Sequence, residues 1–94
     1  GTVINSVIGT SVVIEKGAVV KDSVIFSGTV IKENADVNYC IIDENVTIGA
    51  HSSLGIDKEL SKGITVVGRD TVIDDYEVIM DDQNIEADSR KGNK

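Results

Sequence analysis

VINSVIGTSVVIEKGAV (3–19), VKDSVIFSGTVIKENAD (20–36) and VNYCIIDENVTIGAHSS (37–53) stack letter over letter as a 17-residue near-repeat. Repeats of about this length and longer are the signature of solenoid architectures, so this stretch decides the fold. Large aliphatic residues recur at steps of six, six and five: Ile8, Ile14, Val20, then Ile25, Ile31, Val37, then Ile42, Ile48, Leu54. Two residues before each stands a smaller one. The three sets are Ser6, Ser23 and Cys40; Val12, Thr29 and Val46; Ala18, Ala35 and Ser52.

A small–x–large triplet has period two, so its first and third residues share one side of a strand. Between triplets lie turns of three, three and two residues, as in Gly9–Ser11, Glu15–Gly17 and Lys21–Asp22. Three short strands and three tight turns per repeat describe a triangular coil. Equivalent residues then stack about 4.8 Å apart. The expected fold is all-β: a single-stranded parallel β-helix of the hexapeptide type. An amphipathic helix is excluded because no i, i+3, i+4, i+7 stripe persists and the Val and Ile content favours strands. The last residues of the first turns are Ser11, Gly28, Asn45 and Asp70, and those of the second are Gly17, Asn34 and His51. Most are residue types that tolerate positive φ.

The middle residue of each triplet points outward. The first face presents Val7, Val24, Ile41 and Val66; the second presents Val13, Val30, Thr47 and Val72; the third presents Val19, Asp36, Ser53 and Val78. Two faces therefore show apolar rows to water. β-Branched residues suit strands in any case, but contiguous apolar rows mark interfaces. Partner subunits or a neighbouring domain are expected on Val7, Val24, Ile41 and Val66 and on Val13, Val30 and Val72.

The chain has 94 residues, a net charge of −7 and 3% aromatic residues. That balance argues against nucleic-acid binding, which needs cationic surface and stacking platforms. One cysteine excludes an internal disulfide framework and fits a reducing compartment, so a cytoplasmic location is expected. Neither a signal peptide nor a run of 18 apolar residues is present. The repeat begins almost at Gly1, and solenoids need capped ends. A fragment of a longer protein is the expectation, with the remainder on the N-terminal side.

After Leu54 the repeat is interrupted. Ten residues, GIDKELSKGI (55–64), stand where the pattern asks for two, before Thr65–Val66–Val67 and Thr71–Val72–Ile73 resume the register. Long loops in regular structure are often functional. Further on, Glu77 falls at an inward slot held earlier by Ala18, Ala35 and Ser52, where an unpaired carboxylate is costly. The β-helix domain is accordingly placed at 1–79. Residues 80–94 are expected to form an acidic-to-basic tail, either disordered or a short cap. Asp74–Asp88 carries seven carboxylates and no Lys or Arg, which reads as a solvated segment.

Chemistry-bearing residues are few. His51 is the sole histidine, and a histidine can serve as general base. It also fills the turn position of Gly17 and Asn34, with no carboxylate obviously placed to orient it, and this favours the turn role. Cys40 sits in the small inward slot of Ser6 and Ser23, where a thiol behaves as a small apolar group. The acid pairs Asp43–Glu44 and Asp74–Asp75 fall in turns or at the start of the acidic segment. One His and one Cys make no metal cluster, and the phosphate-cradling GxGxxG and GxxxxGK[ST] loops are absent. No catalytic, cofactor-binding or metal residue is assigned.

The runs GTVINSVIG and VVIEKGAVVKDSVI within 1–25, NYCIIDENVTIGAHSSLG (38–55) and GITVVGRDTVI (63–73) resemble the C-terminal domain of bacterial ADP-glucose pyrophosphorylases, the glucose-1-phosphate adenylyltransferases. The resemblance covers roughly 1–79. Resemblance to hexapeptide-repeat proteins implies left-handed winding, against the usual right-handed crossover rule. It also implies a parent enzyme of glycogen biosynthesis that joins glucose 1-phosphate to ATP with Mg²⁺, releasing pyrophosphate and ADP-glucose. In that family the chemistry belongs to an N-terminal nucleotidyltransferase domain with a GGxGxRL-type loop, which this chain lacks. The β-helix packs on that domain, builds a homo- or heterotetramer and contributes to allosteric control. ATP and Mg²⁺ would bind outside this chain. Family cations that hold phosphorylated effectors do not map here; Arg69 and Lys62 qualify only as cations near the insertion.

The alternatives are a hexapeptide acyltransferase and the tail of another sugar-1-phosphate nucleotidyltransferase. The former implies a trimer, coenzyme A between coils and His51 as base.

Overall fold

A computed structural model describes residues 1–92. Fifteen short strands wind into three parallel five-stranded sheets, the faces of a triangular β-helix of about five coils. The first face stacks β2 (Val7–Ile8), β5 (Val24–Ile25), β8 (Cys40–Ile42), β11 (Thr65–Val67) and β14 (Asn84–Ile85). The second stacks β3 (Val13–Ile14), β6 (Val30–Ile31), β9 (Thr47–Ile48), β12 (Val72–Ile73) and β15 (Arg90–Lys91). The third stacks β1 (Thr2–Ile4), β4 (Val19–Lys21), β7 (Asp36–Asn38), β10 (Ser53–Leu54) and β13 (Val78–Ile79).

The pairing is the repeat made physical. Val7 faces Val24 and Val24 faces Ile41; Val13 faces Val30 and Val30 faces Thr47. Ile25, Ile31, Val37, Ile42, Ile48, Leu54, Val67 and Ile73 fill the interior, all at most 1% exposed. Each buried Val, Leu or Ile contributes about 1.5–3 kcal/mol.

The corners depend on left-handed backbone. In the first corner Ser11, Gly28, Asn45, Asp70 and Asp88 have φ between 56° and 75°; in the second, Gly17, Asn34, His51 and Tyr76 lie between 58° and 78°. The third corner uses Asn5, Asp22, Tyr39, Gly55 and Asp82. Tyr39 and Tyr76 were not expected there. Bulky residues pay a steric cost in this region, met here by the hydrogen-bonded stack of corners, as where Tyr39 N–H donates to Lys21 C=O at 2.9 Å.

The 55–64 insertion leaves at the third corner, between β10 and β11, and the register resumes as Cys40 opposite Thr65 and Ile42 opposite Val67.

The end of the solenoid differs from the sequence expectation. It does not stop at Ile79: β14 and β15 add a further turn, with Ile85 paired to Val67 and Lys91 to Ile73. The final third corner holds three residues, Met80, Asp81 and Asp82, not two. A step of five from Ile79 puts polar Asn84 inside, whereas the actual step of six buries Ile85. Glu77 is half-buried, not enclosed, so its carboxylate does not end the stack. Residues 93 and 94, the end of the expected tail, lie outside the described residues.

Candidate functional site

The second corner brings His51 to Tyr76. Both have positive φ one coil apart, and their rings stack with centroids 4.9 Å apart and planes within 10°. Glu33, in the same corner of the preceding coil, stands with Oε2 3.9 Å from His51 Nε2. That is an ionic contact for a protonated imidazole and is beyond hydrogen-bond length. His51 thus occupies the turn position the repeat assigned it. Sequence reading missed the Glu33 neighbour because it lies 18 positions away, one coil plus one residue.

Cys40 is fully buried in the small slot. Its Sγ donates to Asn38 C=O at 3.3 Å, and burial pushes the thiol up to about 12. A thiol so far above neutrality is no nucleophile. Cys40 opens β8 on the first face with its thiol inside, and His51 lies exposed at the second corner, so the fold does not assemble them into a Cys–His pair.

The acid pairs serve corners. Asp43 Oδ1 accepts Glu44 N–H at 2.8 Å, and Asp75 Oδ1 accepts Ala50 N–H at 2.8 Å. Asp74 receives both Nε and Nη2 of Arg90, at 3.0 and 2.8 Å. Among the described residues, no three His, Cys, Asp or Glu side chains converge to hold a metal ion. The cations near the insertion are separated. Arg69 lies at the first corner beside Asp70, at 3.8 Å, whereas Lys62 belongs to the insertion, its N–H donating to Asp81 Oδ2 at 2.7 Å. They do not form a joint anion site.

A concavity of about 400 Å³ lies along the second face between Lys32, Thr47, Asp74, Asp75 and Arg90. Its charges are mixed in sign, and Asp74 is already engaged by Arg90. The outer rows are more distinctive. Val24, Ile41 and Val66 lie half-exposed in one line on the first face beneath an exposed Val7. Val30 and Val72 do the same on the second face, beneath exposed Val13. Phe26, 44% exposed, stands at the corner between the two faces. The sequence pointed to both rows; Phe26 escaped notice because it lies outside the triplets.

The chain is 40% identical over 77 residues to a glucose-1-phosphate adenylyltransferase of Corynebacterium diphtheriae, an alignment covering 73% of this chain and 18% of that protein. It is 38% identical over 81 residues to the glucose-1-phosphate adenylyltransferase of Corynebacterium jeikeium, covering 78% of this chain and 20% of the other. A third, from Acetivibrio thermocellus, is 37% identical over 84 residues, covering 80% and 20%. The chain thus spans about a fifth of the length of the curated relatives it matches. No solved structure matches it. The family model described as GlmU-like, C-terminal hexapeptide matches residues 1–73, which take in the first three coils, the insertion and the resumed register. With its triangular coils and stacked triplets, the chain belongs to this GlmU-like C-terminal hexapeptide family.

Proposed function

We propose that this chain is the non-catalytic β-helix domain of a glucose-1-phosphate adenylyltransferase, serving its assembly and regulation. The observation that carries the reading is the pair of apolar outer rows, Val7–Val24–Ile41–Val66 and Val13–Val30–Val72, which lie half-exposed or exposed on two faces of the solenoid. Contiguous apolar rows of this kind belong at interfaces. The relatives' name, glucose-1-phosphate adenylyltransferase, supports the parent reaction proposed here, ATP and glucose 1-phosphate to ADP-glucose and pyrophosphate. On this reading ATP and Mg²⁺ bind elsewhere in a cytoplasmic parent, and the two rows meet other subunits or the catalytic domain in a tetramer.

The test uses the complete reading frame. Pyrophosphate release from ATP, glucose 1-phosphate and Mg²⁺ is expected, together with loss of assembly in Val24→Asp and Ile41→Asp while the β-sheet circular dichroism persists. An unchanged oligomer in both variants removes the interface assignment. Lack of release, with coenzyme A bound in calorimetry, favours the acyltransferase alternative.

A further inference from the structure

The insertion crosses the third corner and is held at its two ends by different forces. Near its start, the dipeptide Asp57–Lys58 faces the dipeptide Lys21–Asp22 in reciprocal pairs: Lys21 Nζ to Asp57 Oδ2 at 3.5 Å and Lys58 Nζ to Asp22 Oδ1 at 3.8 Å. Asp22 is fixed in turn by Asn5 Nδ2 at 2.7 Å. Near its end, hydrogen bonds take over, from Lys62 N–H to Asp81 Oδ2 at 2.7 Å and from Asp82 N–H to Gly63 C=O at 3.0 Å. Between the ends, residues 57–61 form a self-contained turn. Leu60 and Ser61 N–H both donate to Asp57 C=O, at 2.9 and 3.0 Å, and Glu59 N–H donates to Asp57 Oδ1 at 3.1 Å. Among the described residues, no backbone hydrogen bond joins 56–61 to the solenoid.

Beneath this arm the corner carries an unpaired polar atom. Ile4, Lys21 and Asn38 pair in one column. The insertion departs from the next place in that column, Gly55, which lies against the Asn38 carbonyl in left-handed backbone. Asn38 Oδ1 is buried with no hydrogen-bond partner. Such a group is costly while it stays dry, and water relieves it. Three of the four charged side chains, Lys21, Asp57 and Lys58, are 38–47% exposed, whereas Asp22 is 9% exposed; pairs open to solvent in this way hold weakly and are screened by salt. The closed state thus combines a weak latch with a group that gains by opening.

We propose that residues 56–61 are an ionic strap that closes the third corner over Asn38 and swings open when its two charge pairs are screened or removed. Opening displaces Lys58 from the groove of about 190 Å³ that it shares with Asn5, Val24 and Tyr39. The Glu59–Leu60 peptide bond reports the motion, because it lies within the 57–61 turn and a protease must draw that turn away from the solenoid to cleave it.

The experiment is cleavage after Glu59 by a glutamyl endopeptidase in the 94-residue chain at constant pH, comparing low and high sodium chloride relative to a free peptide of residues 55–64, with thermal unfolding followed in parallel. The Asp57→Asn/Lys58→Gln double variant, whose Asn keeps an acceptor for Glu59 N–H, is expected to be cleaved about fivefold faster than the parent at low salt. High salt should bring the parent to the variant's rate without melting the solenoid. A charge-swapped chain, Lys21→Asp and Asp22→Lys with Asp57→Lys and Lys58→Asp, should regain slow cleavage. Equal rates in parent and double variant at low salt overturn the proposal. So does a rise that the swapped chain fails to reverse, or one that appears only on global melting.

Discussion

Ser23 and Cys40 fill the same slot in successive coils, and Ser23 Oγ accepts the Cys40 backbone N–H at 3.0 Å while donating to Lys21 C=O at 2.8 Å. Ser6 does the same one coil earlier, accepting Ser23 N–H at 3.0 Å and donating to Ile4 C=O at 2.8 Å. Thr29, Thr65 and Thr71 repeat the motif toward Val46, Gln83 and Ser89. The slot is small because its side chain must stand beneath the next coil's amide. At Cys40 the hydroxyl relay ends: the thiol turns to Asn38 C=O, and Thr65 N–H reaches Tyr39 C=O instead, at 3.4 Å.

Ser23→Ala therefore leaves a buried amide without an acceptor. A loss of about 1–3 kcal/mol is expected in urea unfolding. Cys40→Ser keeps size and adds a stronger donor in a slot that already takes serine at positions 6 and 23, so its effect should stay within about 1 kcal/mol. A larger loss in Cys40→Ser than in Ser23→Ala would remove the ladder argument.

Inward and outward residues of one triplet should separate cleanly. Ile48 is fully buried between Ile31 and Ile73. Ile48→Ala is expected to cost about 2–5 kcal/mol. Val13, 48% exposed, loses little contact on truncation, and Val13→Ala should stay near the ±0.5 kcal/mol typical of surface changes. Urea unfolding of the two variants side by side checks the register.

Asp57 makes the loop turn sensitive to acid. The Glu59 amide, and then the charge of Lys21, hold its carboxyl below the ordinary value of 3.8. Lys58, its chain neighbour, adds to the effect. The carboxylate's contribution is fully present above the unfolded value and is lost as pH falls through the lower folded value. The Glu59 amide proton shift should follow that titration, flat from neutrality down to about pH 4 and moving only below it. Asp57→Asn should abolish the pH dependence. A midpoint at or above the ordinary aspartate value contradicts the assignment.

The solenoid's last turn tests what sequence pattern alone conveys. Coils one to three, the insertion and the resumed register were legible because burial demands Ile, Val or Leu at fixed steps. Residues 80–92 were not, because an end coil faces water on one side and tolerates Gln83, Arg90 and Lys91 at ladder positions. The extra corner residue also moved the period from five to six. Yet Val66 N–H still bonds Gln83 C=O and Val72 N–H bonds Ser89 C=O, both at 2.9 Å, since backbone ladders are indifferent to side-chain polarity. The outer rows were legible for the same reason as the core. The Glu33 contact, the Asp74–Arg90 pair and the ionic strap were not, since they join residues whose proximity only the winding creates. Deleting residues 80–94 should uncover Val67 and Ile73 and cost more than about 3 kcal/mol. An unchanged melting temperature would mean that the last turn adds nothing.

The His51–Tyr76 stack supplies a test that a loop histidine free in solvent would fail. Stacked aromatic pairs couple by about 0.5–1.5 kcal/mol. In a double-mutant cycle, His51→Ala and Tyr76→Ala should each destabilise, and the double variant should lose less than their sum by that amount. The backbone adds a second signature. His51 has φ 59°, and alanine there retains the left-handed strain that glycine avoids. His51→Gly should therefore exceed His51→Ala in stability by up to about 1 kcal/mol, even though both remove the ring. A coupling near zero, with glycine and alanine equivalent, would show that the corner neither uses the stack nor bears strain at this position.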